Sequence, residues 1–128
     1  MGMHNIELIV EKGEEGIWGR VNYSDNLIIE QADSLDDLEL KLRGLLGDFE
    51  GINPENIVFD LKYDVYSLFE QFDFLNITKV AKYAGLHPGL LRQYASGVKH
   101  PSLNQAKKIE ETLHNLAGQM QKASIYAV

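Results

Sequence analysis

The sequence predicts an α+β protein. A small antiparallel sheet with one helix, in the order β-β-β-α-β, occupies residues 1–63, and an all-α unit occupies residues 64–128. Three observations lead there. Apolar and polar residues alternate over residues 5–12 and again over residues 57–63, the period of half-buried strands. From Asp64 the period becomes helical and stays so. The charge also divides the chain. The net charge of −7 splits into −12 over residues 1–75 (17 acidic, 5 basic) and +5 over residues 76–128 (2 acidic, 7 basic). Such asymmetry points to two modules with different partners.

Each element has a local cause. In residues 5–12, Ile6, Leu8 and Val10 alternate with Glu7 and Glu11. Gly13-Glu14-Glu15-Gly16 supplies a turn, and Ile17 to Tyr23 pairs back as a second strand carrying Trp18. Asn22 to Asn26 is a polar turn and Leu27 to Gln31 a third strand. Ser34 opens a helix, because its hydroxyl can accept the amide of Asp37, and Asp36 and Asp37 suit the positive end of the helix dipole. Leu35, Leu38, Leu42, Leu45, Leu46 and Phe49 form its apolar face, and Gly47 and Gly51 end it. Ile57, Phe59, Leu61 and Tyr63 line one face of the fourth strand. Asp64 and Asn76 are placed to cap the next two helices.

Composition excludes several classes. The chain has no cysteine, which removes disulfides, thiolate zinc sites and cysteine nucleophiles together. No apolar run approaches the roughly 20 residues of a membrane helix, and the N-terminus lacks the basic-then-apolar profile of a secretory signal, so a cytoplasmic protein without membrane contact is expected. The four histidines, His4, His87, His100 and His114, have no metal-ligand spacing. Asp25, Asp33, Asp36, Asp37 and Asp60 form no paired set at strand centres for two magnesium ions, and capping explains Asp36 and Asp37. No phosphate-binding glycine loop or nucleophile motif is present. The expectation is a non-enzyme with no catalytic residues, metal or cofactor.

The stretch from Ile77 to Ser96 meets the constraints of a helix-turn-helix. Ala81 is small where two helices would cross, Gly85 suits a left-handed turn, and Val80, Ala84, Leu86, Leu91 and Tyr94 can fill the inner positions. His87 stands at the cap of the second helix with Pro88 at its first position, where a missing amide costs nothing. Gly97 ends it. A long last helix follows, with Ala106, Ile109, Leu113, Leu116 and Met120 on one face. Ala81, Gly85, Tyr94, Ser96-Gly97 and Pro101-Ser102 together resemble the helix-turn-helix family of phage repressors and Xre-type regulators, over residues 65–118. The resemblance implies that the second helix lies in the major groove, with His87, Gly89, Arg92, Gln93 and Ser96 facing the bases. Arg92 would pair with guanine and Gln93 with adenine. Lys79, Lys99 and His100 would meet phosphates. It also implies a homodimer or higher homo-oligomer on two half-sites of double-stranded operator DNA.

The segments IELIVEKGEEGIWGRV and ADSLDDLELKLRGLL, with a strand between them, resemble the HicB-type antitoxin fold, a degraded ribonuclease H fold. Members of that family often append a helix-turn-helix, and LLRQYASGVKHPSLNQAKKIEETLHNL is similar to it. The resemblance implies an antitoxin-like repressor whose acidic module neutralises a small basic HicA-type toxin that cleaves messenger RNA. Trp18, Asp36, Asp37 and Glu39 are its candidate partner-binding residues, with Trp18 equally suited to the core. The last helix or residues 124–128 could supply a dimer contact. Two other readings stay open. One is a stand-alone Xre-type regulator with an N-terminal dimerisation or sensing domain and no toxin. The other is an interaction protein that keeps the fold without DNA contacts, prompted by Ile77, Pro88 and Gly89, which offer no side-chain donors.

Overall fold

The computed structural model describes residues 2–127; of the tail, Val128 lies outside the described residues. Among the described residues the chain forms β1 (His4–Lys12), β2 (Ile17–Tyr23), β3 (Asn26–Ala32), α1 (Leu35–Glu50), a 3-10 turn (Pro54–Asn56), β4 (Ile57–Tyr63), α2 (Val65–Gln71), α3 (Ile77–Ala84), α4 (Pro88–Ala95) and α5 (Leu103–Lys122). It divides into two compact units, Met1–Ser67 and Leu68–Val128. The division falls four residues after the change of period at 63/64, because the start of α2 is tied to the first unit. Asp64 Oδ1 accepts the Ser67 amide at 2.6 Å, and the buried Ser67 hydroxyl accepts the Lys12 amide at 2.9 Å.

In the first unit the described strands form a mixed sheet in the order β3-β2-β1-β4. β1 pairs with β2, and β2 with β3, antiparallel; β4 lies parallel to β1, with Ile6 opposite Phe59 and Leu8 opposite Leu61. This corrects the expected all-antiparallel sheet. The reason is the helix between β3 and β4. β3 runs in the direction of β1, and α1, at about 24 Å long, carries the chain back along the sheet. The strand that follows must then run with β1, since parallel neighbours need such a crossover.

The core of this unit is one contiguous cluster. Ile6, Leu8 and Val10 of β1, Ile17 and Val21 of β2, Ala32 of β3 and Ile57 and Phe59 of β4 meet Leu38, Leu42 and Leu46 of α1, with Ile52 closing the end. Gly19 sits where the helix crosses the sheet. A Cβ there would stand 2.7 Å from Leu38 Cδ2 and 3.0 Å from Leu8 Cδ1, so glycine permits the approach. Ser34 caps α1 by accepting the Asp37 amide at 3.2 Å. Arg43, midway along the helix, fastens it to β4. Its guanidinium donates to the carbonyls of Pro54 and Ile57 and lies 4.9 Å over the Phe59 ring.

Two expected inner residues are exposed instead. Phe49 is 75 % exposed, because the last turn of α1 overhangs the core and Ile52, returning after the left-handed Gly51, takes the inner place. Leu61 is 37 % exposed; it lies on β4, an edge strand with one side open.

The second unit packs around Val80 and Ala81 of α3, Leu91, Tyr94 and Ala95 of α4 and Ile109 of α5, all buried. Ala81 is fully inaccessible, which only a small side chain permits where helices pack closely. Leu113 and Leu116 are half-buried, while Met120, expected on the same face, is 63 % exposed. At about 30 Å the 20-residue α5 outruns the two eight-residue helices beside which it begins. Among the described residues no helix is long and apolar enough to cross a membrane.

Candidate functional site

The site is built from the local chemistry of α3, the turn and α4. Asn76 starts α3 by accepting the Lys79 amide at 3.0 Å. Gly85 ends it with φ of 72°; its amide donates to Lys82 O, and the Leu86 amide reaches Ala81 O at 2.9 Å. This is the closure that a left-handed residue after a helix makes. His87 then caps α4, its Nδ1 accepting the Gly89 amide at 3.0 Å, and Pro88 occupies the first helical position.

The far end of α4 is closed as tightly. The Gln93 carbonyl accepts the amides of Val98 and Lys99, at 3.0 and 3.2 Å, and the Ser96 hydroxyl at 3.2 Å. Gly97, with φ of 81°, makes this possible. These bonds fix the Lys99 backbone directly after the end of α4. Tyr94 passes through the unit and its hydroxyl hydrogen-bonds Gln105, while Ser102 caps α5 by accepting the Gln105 amide.

The structure brings half of the eight candidate groove residues together. Gly89, Arg92, Gln93 and Ser96 line one cleft of about 580 Å³, with Glu70, Ile77 and Ala95. Lys79, His87, Lys99 and His100 are exposed and do not line it. Arg92 is held: its Nη1 donates to Thr78 Oγ1 at 3.0 Å. Sequence reasoning did not single out Thr78 or Glu70. The signal for Thr78 was present, since it stands in the first turn of the helix that Asn76 caps, but its pairing with Arg92 depends on the angle between two helices. Nothing in the sequence marked Glu70.

The candidate partner residues of the first unit do not form one patch. The side chain of Gly19 would point at α1, so its neighbour Trp18 points from the opposite face. Trp18 is 43 % exposed, and its indole rests on Gly13, where a Cβ would come within 2.7 Å of Nε1. Asp36 and Asp37 are exposed in the first turn of α1. Glu39 is half-buried beside Arg43, 4.0 Å away. It also acts on Tyr63, whose phenol pKa is raised first by burial and then by the Glu39 charge.

With the boundary at residue 67, the first unit carries 15 acidic and 5 basic side chains, a balance of −10. The second carries 4 acidic and 7 basic ones, a balance of +3. Among the described residues no group of three or more His, Asp or Glu is placed to hold a metal ion. Comparisons with protein-family models, curated proteins and solved structures gave no match to this chain.

Proposed function

We propose that the second unit is a helix-turn-helix that binds double-stranded DNA, with α4 entering the major groove. The observation that carries this reading is the clustering of Arg92, Gln93, Ser96 and Gly89 on one exposed cleft of a net-positive unit. A guanidinium and a carboxamide on one helix surface are the two groups that pair bidentately with guanine and adenine. Lys79 and Lys99 flank this surface in sequence and supply cations for phosphates. A short helix reads only a few base pairs, so two copies of the chain on paired half-sites are part of the proposal.

We further propose that the acidic first unit recruits a basic protein, with a HicA-type toxin as the specific candidate. Its balance of −10 favours encounter with such a partner. The combined role is that of an antitoxin-like repressor, which acts by binding and not by catalysis.

A gel-shift titration of the chain on the DNA upstream of its own gene tests the first part. Retardation is expected, with Arg92→Ala and Lys99→Ala each weakening it. If both variants bind like the unmodified chain, α4 is not the reading element. For the second part, the product of the adjoining short reading frame should be basic, toxic when expressed alone and retained by the tagged chain. A non-toxic neighbour that does not co-purify rejects the antitoxin role and leaves a stand-alone regulator.

A further inference from the structure

The bond from Arg92 Nη1 to Thr78 Oγ1 joins the two helices of the candidate reading unit through exposed side chains. A guanidinium is planar, and its five donors lie in one plane. An acceptor fixed at Nη1 therefore sets the direction of the whole group. It also leaves the Nε–Nη2 edge unused, and that edge carries two parallel donors, the fork that matches guanine O6 and N7. The rest of the cleft agrees with a base edge better than with a phosphate. Glu70 lines it, and a carboxylate repels a phosphate but accepts from the exocyclic amine of cytosine. Arg92 and Glu70 thus place donors and an acceptor on one cleft.

We propose that Thr78 is a specificity-determining positioning residue: its hydroxyl aims Arg92 at a guanine and makes the contact selective. This rests on the reading of the second unit as a DNA-binding helix-turn-helix. A free arginine on the surface of α4 would sample many rotamers and settle on phosphates as readily as on bases. Thr78 removes that freedom before DNA arrives, so the ordering cost is met in the fold and not at binding.

The test uses the full-length chain and a duplex selected by it from a randomised 30-base-pair library, a length of about three helical turns. Affinities are then measured for all four base pairs at each position of the selected site. Arg92→Ala identifies the position it reads as the one where the preference for G·C disappears. Thr78→Val, which keeps the shape and removes the acceptor, should cut that same preference on the order of tenfold. Preferences at other positions should persist, and Thr78→Ser should restore the lost one. The proposal is overturned if Thr78→Val keeps the preference, or if it weakens every duplex equally, as a phosphate contact or a simple staple between helices would. It is also overturned if Arg92→Ala abolishes no single-position preference. If the unmodified chain enriches no duplex, the DNA-binding reading fails and this inference fails with it. That outcome is distinct from enrichment by the unmodified chain with no effect of Thr78→Val. Thermal melting of each variant confirms that the fold is retained.

Discussion

Gly85→Ala isolates a single physical term in the turn that joins α3 to α4. Gly85 has φ of 72°, and a Cβ built on it meets nothing within 4 Å. No packing term therefore enters, and the cost is that of placing an L-residue in the left-handed region, about 1–2 kcal/mol. Alanine recovers part of this by restricting the unfolded chain, typically 0.4–1 kcal/mol. The expected net loss is about 1 kcal/mol, which for a unit of this size lowers the melting temperature by roughly 4–8 °C. Urea denaturation followed by far-UV circular dichroism measures it. Asparagine tolerates the left-handed region better than alanine, so Gly85→Asn should lose about half as much. Well below the melting point, any DNA binding under the proposed function should be the same for Gly85→Ala as for the parent, because no side chain of the cleft is altered. The reasoning is refuted if Gly85→Ala costs less than about 0.5 kcal/mol, the range of an ordinary surface change, or if asparagine is as damaging as alanine.

Three other outcomes follow from the first unit. Gly19→Ala should destabilise by about 1–3 kcal/mol through overpacking against Leu38 and Leu8; adding Leu38→Val should recover part of the loss in the same denaturation assay. Ser24 and Asp25 have φ of 49° and 64° in the β2–β3 turn, so Ser24→Asn with Asp25→Gly should raise stability by about 1 kcal/mol by calorimetry, and an unchanged melting temperature would count against strain in that turn. Tyr63 is held neutral in the fold, so its contribution is complete below pH 10, where the free phenol titrates, and is lost as pH rises through its higher folded value. Tyr63→Phe should therefore flatten the fall of stability above pH 10 in urea titrations, and an unchanged slope would show that the phenol does not couple to folding.

Much of the molecule was legible in its sequence because the signals were local. Alternation placed β1 and β4, and the turns between them placed β2 and β3; the observed ends differ from the expected ones by at most one residue. Ser34, Asn53, Asn76 and Ser102 each accept an amide two or three residues on, and the expected caps Ser34, Asn76 and His87 perform that role. Gly85 and Gly97 both adopt the left-handed conformation expected of them. Periodicity is a weaker guide to burial. Phe49 and Met120 lie on the apolar stripes of their helices yet face solvent, because a stripe gives direction and not the length of what it packs against.

By itself the sequence determined the elements, their caps and the split of charge along the chain, all of which depend on neighbours a few residues apart. Only the tertiary structure decided that β4 runs parallel to β1, since that follows from where a crossover helix returns the chain. It also separated Trp18 from Asp36 and Asp37 on opposite faces, brought Glu70 and Arg92 from two helices to one cleft, and joined Arg92 to Thr78 of a third. Distance between side chains on different elements is set by packing angles, and a linear pattern does not carry them.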